Sequence, residues 1–139
     1  MYRWIYPLIF GLATLGPAAY AHHSIPGLYD RTREATVEGV VTEFRFINPH
    51  PFLILSANAG TAAPQSWHIL MDNHFELGRA GITADTFTPG DLVVVTGDPG
   101  RTQAWSLYLR RLDRPADGFR YEQVDGNPRI SIQPEAAAR

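Results

Sequence analysis

The spacing of short strand-like runs, each ended by proline or glycine, most narrows what this chain can fold into. Ala35 to Phe46 forms the first run, and a phase slip at Gly39-Val40 predicts a bulge in a bent strand. Asn48-Pro49-His50-Pro51 ends this run, because proline removes a hydrogen-bond donor and restricts the preceding residue. Further strands are predicted over residues 52–57, 65–71, 92–97 and 104–112, and a helix capped by Asn73 and Gly81 over residues 73–80.

The order of three strands, one helix and two strands predicts an all-β fold. It matches an OB-fold-like five-stranded Greek-key barrel with the helix between strands 3 and 4, and the runner-up is another small β-barrel or sandwich. A last hairpin turn is expected at residues 116–119, after which the strand signals weaken. We therefore predict a barrel domain over residues 35–121, an N-terminal arm over 22–34 and a C-terminal tail over 122–139.

Residues 1–21 have the layout of a cleavable secretory signal peptide. Arg3 is their only charge, an apolar run of 12 residues extends from Trp4 to Leu15, and Ala19-Tyr20-Ala21 places the cut after Ala21. A membrane-spanning helix needs roughly twenty apolar residues, so an uncleaved anchor is the less favoured interpretation. We predict export to the periplasm, with no stable membrane span after cleavage.

The composition excludes several classes of function. The chain has no cysteine, so neither a disulfide framework nor a thiolate metal site can form. With a net charge of −2, the chain lacks the excess of basic residues that binding to nucleic acids requires. No G-x-S-x-G elbow, H-E-x-x-H helix or phosphate-binding glycine loop occurs. We therefore expect no nucleic-acid partner, no catalytic residues, no organic cofactor and no enzymatic activity.

Histidines are the most informative polar residues. Cleavage after Ala21 would give His22 a free α-amine beside its imidazole, and these two groups can chelate one ion as the N-terminal half of a histidine brace does. His23 adds a second imidazole, and His50 lies in the loop between strands 1 and 2, which flanks the binding face of OB-folds. We predict a metal site at His22, His23 and His50. His68 is expected to face away from the core, and His74 to begin the helix.

Imidazole-rich sites bind Cu(II) most tightly among the divalent first-row metals and also suit Zn(II). Copper or zinc is therefore the expected ion. The α-amine must lose its proton to bind, so affinity should fall with acidity. The alternative is that His22 and His23 belong to a polar arm and that His50 braces its turn by a hydrogen bond to the backbone.

Four sequence motifs match one recurring pattern. They are an Ala-His-His-Ser junction, a Gly-x-Val strand leading to Asn-Pro-His, a Trp in strand 3 followed by Leu-x-Arg-x-Gly, and Pro-Gly-Asp-x-Val-x-Val-x-Gly-x-Pro. The matching residues are Ala21, His22, His23, Ser24, Gly39, Val41, Asn48, Pro49, His50, Trp67, Leu77, Arg79, Gly81, Pro89, Gly90, Asp91, Val93, Val95, Gly97 and Pro99. The pattern resembles that of small exported bacterial proteins grouped only as a domain of unknown function. The resemblance covers roughly residues 21–112 and implies an exported β-domain without a known activity.

Members of that family often carry Glu where this chain has Leu70. If that carboxylate completes a site in those members, the site in this chain would be weaker.

Two hypotheses from different classes follow. The first is a periplasmic, non-enzymatic binding module that captures copper or zinc through His22, His23 and His50. The second is an envelope protein-interaction or small-ligand-binding module that uses the barrel face and the loops after strands 1 and 4, with the histidines incidental. A third, an enzyme using a metal-bound water, has no support beyond the histidines.

Overall fold

Alternating short strands and turns produce a mostly β architecture in the computed structural model, which describes residues 24–58 and 60–133. The predicted signal peptide and its cut, His22, His23 and residues 134–139 lie outside the described residues. The elements in chain order are α1 (Ile25–Leu28), β1 (Ala35–Arg45), β2 (Phe52–Ala57), β3 (Gln65–Leu70), α2 (His74–Ala80), β4 (Leu92–Pro99), β5 (Ser106–Arg114), β6 (Phe119–Val124) and β7 (Asn127–Ile132).

The first five strands close into the predicted barrel. Neighbouring strands follow the order β3-β2-β1-β4-β5, and β5 returns to pair in parallel with β3, with Ile69 opposite Leu107. All the other pairings are antiparallel. This is the Greek-key order of the OB-fold, and α2 lies between β3 and β4 as predicted. The fold class expected from the sequence is confirmed.

β1 bends as predicted, but its bulge lies further along the strand. The register against β2 shifts between Val41 and Glu43, so Thr42 is the extra residue. Before the shift Val41 faces the core, while Val40 remains 40% exposed. The predicted bulge at Gly39-Val40 is therefore wrong by about three residues. The bend lets β1 pair with β4 along its first half and with β2 along its second.

Helix α2 begins and ends at the predicted caps. The Asn73 side-chain oxygen accepts a hydrogen bond from the Glu76 N–H at 2.9 Å. Gly81 adopts the left-handed conformation, with φ of 101°, that ends the helix. Leu77 is fully buried and anchors the helix on the barrel core. These contacts fix the β3–α2 junction, on which the candidate site depends.

The C-terminal segment is more ordered than the sequence indicates. β6 pairs with the second half of β5, and β7 pairs with β6 over its full length. Tyr121 of β6 is fully buried and belongs to the core. A tail beginning at residue 122 is therefore wrong for residues 122–132, because this hairpin extends the barrel sheet beyond β5.

Arg114 ties the turns at one end of the barrel together. Its guanidinium donates to Asp91 at 2.8 Å, to Asp117 at 2.9 Å and to the Thr86 carbonyl at 2.7 Å. The hydrogen bond from Arg114 is the main cause of the lowered pKa of Asp117. Burial, the largest influence on Asp91, works to raise its pKa, but hydrogen bonds from Thr88 and Arg114 lower it overall.

This network should make the protein sensitive to acid. Both carboxylates have a lower pKa in the folded state, so their stabilising contribution is complete above the unfolded value of about 4 and is lost as the pH falls through the folded values. We expect the unfolding free energy to drop as the pH falls below about 4 in urea titrations. Arg114→Met should be less stable at pH 6 and should lose less on acidification. Parallel pH profiles of the two proteins would contradict this account.

Candidate functional site

His50, the predicted loop ligand, is held by the backbone of a neighbouring segment. Its ring Nδ1 lies 3.2 Å from the carbonyl oxygen of Met71, and the residue is half-buried. A carbonyl oxygen only accepts, so Nδ1 carries a proton in this contact, and in the neutral ring Nε2 is the nitrogen with the free lone pair. Metal-binding histidines commonly donate their second nitrogen to a backbone carbonyl in this way. The contact also braces the turn, as the alternative interpretation expects.

The loop that carries His50 is attached firmly to the β3–α2 junction. The Met71 N–H donates to the Pro51 carbonyl at 2.9 Å, and the His74 N–H donates to the Pro49 carbonyl at 3.0 Å. The prolines that end β1 therefore supply acceptors to the next segment. As a result, the His50 ring is positioned against a capped helix and a strand end.

The other two described histidines pack against aromatic rings. His68 lies 4.7 Å from the Phe52 ring centroid in a stacked arrangement, and burial lowers its pKa. His74 lies 4.2 Å from the Phe46 ring centroid. Within residues 24–58 and 60–133, no three histidine or carboxylate side chains are grouped closely enough to hold a metal ion. His50 would need ligands from outside the described chain, where His22 and His23 are located.

The N-terminal arm is hydrogen-bonded to the barrel at the C-terminal end of β4. The Asp30 N–H donates to the Pro99 carbonyl at 2.8 Å, and the Arg101 N–H donates to the Leu28 carbonyl at 2.8 Å. Tyr29 is 5% exposed, and its hydroxyl accepts a hydrogen bond from Ser106 at 3.2 Å. The chain therefore enters the described structure at a defined place beside β5.

A polar network lies where this arm meets the barrel. Arg110 donates from Nε and Nη2 to Asp98 at 3.0 and 2.5 Å, and from Nη1 to Gln123 at 2.5 Å. Gln123 donates in turn to Asp72 and to the Tyr108 hydroxyl, each at 3.2 Å. Asp72 and Asp98 are 9% and 6% exposed. Burial raises the pKa of Tyr108, so its phenol is neutral at physiological pH.

A pocket of about 170 Å³ opens onto this network. Its lining includes Ile25 and Pro26 from the arm and Asp72, Tyr108, Arg110 and Gln123 from the barrel. Sequence reasoning did not single out these residues. Asp72 follows the predicted third strand and carries no signal of its own, and Gln123 falls within the predicted tail. Their convergence depends on four separate segments, which no local pattern indicates.

The described part of the chain contains no helix that is both long and apolar enough to cross a membrane. Its fold and contacts define a small OB-like barrel with an N-terminal arm and a C-terminal hairpin. Residues 11–107, more than half of the chain, match the model of a family of unknown function, DUF6152. The chain belongs to that family, which confirms the resemblance to an uncharacterised domain. No curated protein matches it.

Proposed function

We propose that this protein is an exported, non-enzymatic binding module that holds one Cu(II) ion through His22, His23 and His50. The observation that carries the proposal is the His50 hydrogen bond to the Met71 carbonyl, which leaves Nε2 as a ligand atom in a fixed ring. The signal-like residues 1–21 support export to the periplasm. His22 supplies an α-amine and an imidazole once the signal is removed.

Nitrogen ligands explain the choice of metal. An amine and two or three imidazoles form a site that favours Cu(II) over Zn(II) and over the earlier divalent metals of the series. Zn(II) is the expected weaker competitor. Because His50 alone cannot form a site, the proposal requires the amino terminus produced by cleavage.

Copper binding should depend on His50 and on the position of the cut. Mass spectrometry of the exported protein should give a chain that begins at His22. Titration of that chain with Cu(II) should give one equivalent bound, and His50→Ala should weaken binding by at least about tenfold. His68→Ala is the matched control, because that ring stacks on Phe52. One added residue before His22 should also weaken binding, and equal affinities for all four proteins would contradict the proposal.

The second candidate is an envelope protein-interaction or small-ligand module. Its supporting observation is the same His50 contact, which braces the loop without any metal. A co-purified partner retained in the presence of a chelator, and retained by His50→Ala, would favour this candidate over copper binding.

A further inference from the structure

The pocket between the arm and the barrel contains a carboxylate, Asp72, that is paired with neither of the two arginines lining the same pocket, Arg31 and Arg110. Asp72 is nine-tenths buried and accepts hydrogen bonds from the Asn73 N–H at 2.8 Å and from the Gln123 amide at 3.2 Å. Both donors are neutral. Asp72 forms no salt bridge with any residue in the described ranges.

Asp98 provides an internal comparison, because it is equally buried in the same network. Its carboxylate is bound by the guanidinium of Arg110 through two hydrogen bonds. Arg110 directs its remaining contact to Gln123, not to Asp72. Burying an ionised carboxylate without a counter-charge is costly. A cation that entered the pocket would therefore be stabilised at Asp72.

The arm can bring such a cation. Ile25 and Pro26 line the pocket, and the arm is fixed there by hydrogen bonds from Arg101 to the carbonyls of Leu28 and Pro26. His22 stands three residues before Ile25. An extended chain covers at most about 3.3–3.6 Å per residue, so three residues span no more than roughly 10 Å. Cleavage after Ala21 would create an ammonium group on His22.

We infer that this pocket receives the processed amino terminus of the chain itself, with the α-ammonium group of His22 paired to Asp72. The inference rests on the same cleavage step as the proposed function, and it describes the metal-free protein. Met71, whose carbonyl accepts the His50 hydrogen bond, directly precedes Asp72. A terminus bound at Asp72 is therefore kept near His50.

A double-mutant cycle tests the pairing. The chain beginning at His22 is prepared with a free and with an acetylated amino terminus, each with and without Asp72→Asn, and unfolded in urea at pH 6.5 with chelator present. In the free-amine chain, Asp72→Asn should raise the unfolding equilibrium constant about tenfold more than it does in the acetylated chain. Equal effects of Asp72→Asn in the two chains would overturn the inference.

Two controls separate the amine from other causes. Asp113→Asn removes a half-buried carboxylate that is bound by Arg111 and Arg120, and it should have the same effect in both chains. Arg31 also lines the pocket. Arg31→Gln should leave the coupling between Asp72 and the amine intact, and loss of that coupling would identify Arg31 as the true partner and overturn the inference.

A direct measurement covers the case in which Asp72→Asn fails to fold. In the unsubstituted free-amine chain, nuclear Overhauser contacts should connect His22 to the Tyr108 ring, and their absence would overturn the inference. Copper binding is scored separately. If Asp72 and the amine are coupled but copper does not bind, the proposed function is wrong and the docked terminus stands. If copper binds but Asp72 and the amine are not coupled, the docked terminus is wrong and the proposed function stands.

Discussion

Gly97→Ala should destabilise the protein by about 3 kcal/mol, because the added methyl group would meet the backbone of the neighbouring strand. Gly97 lies in β4 where the register against β5 shifts. A Cβ atom there would overlap the carbonyl oxygen of Tyr108. Tyr108 cannot move away easily, because it is paired with Asp98 of β4 and with Leu70 of β3 at the closure of the barrel.

Gly90→Ala is the matched control. Gly90 has φ of 101°, but no atom lies within 4 Å of a Cβ added there. Replacing Gly90 by alanine should lower the unfolding free energy by only about 1 kcal/mol, which is the penalty for a left-handed backbone at a residue with a Cβ atom. Urea unfolding of both variants measures the difference. Similar losses for Gly97→Ala and Gly90→Ala would show that β4 and β5 can separate enough to accept the methyl group, which would contradict the prediction.

The order of the barrel elements could be predicted because its signals are local. β2 occupies the predicted residues, and the caps of α2 are Asn73 and Gly81 as expected. Strand alternation and cap residues act over a few positions, so one sequence contains the whole signal. The ends of β4 and β5 differ from prediction by only two residues.

The bulge in β1 was misplaced because Gly39 has another role. A Cβ at Gly39 would lie 2.9 Å from the Ala57 Cβ and from the Ser56 carbonyl oxygen of β2. The glycine therefore marks a close approach of two strands, and the extra residue is Thr42. A glycine in a strand indicates either feature, and only the neighbouring strand distinguishes them.

The C-terminal hairpin was missed because β7 is an edge strand. Among the described strands β7 pairs with β6 alone, and it contains Pro128 and an exposed Arg129, residue types that argue against a central strand. The candidate site could be predicted from the sequence only in part. The loop position of His50 followed from the strand order, whereas its contact with Met71 and the buried position of Asp72 depend on how distant segments meet.

Asp98→Asn should destabilise the protein by about 2–3 kcal/mol. The side chains of Asp98 and Arg110 are only 8% and 27% exposed. Arg110 donates the hydrogen bond to Asp98 that is the main cause of the raised pKa of Arg110. An arginine guanidinium stays charged at neutral pH even without such a partner, so Arg110 remains a cation after the substitution. It would then be half-buried with no counter-charge, which costs more than the lost attraction alone.

A double-mutant cycle identifies the pair as the cause. Arg110→Met leaves Asp98 unpaired and should also destabilise the protein, but the two substitutions together should lose about 2 kcal/mol less than their sum, because no isolated charge remains. Glu43→Gln is the exposed control, since its partner Arg45 is 60% exposed and such pairs contribute under about 1 kcal/mol. Additive losses at residues 98 and 110 would mean that Asp98 needs no positive partner. The free-energy cost of burying Asp72 without a counter-charge would then lose its support, because both carboxylates lie in one network and are buried to nearly the same extent.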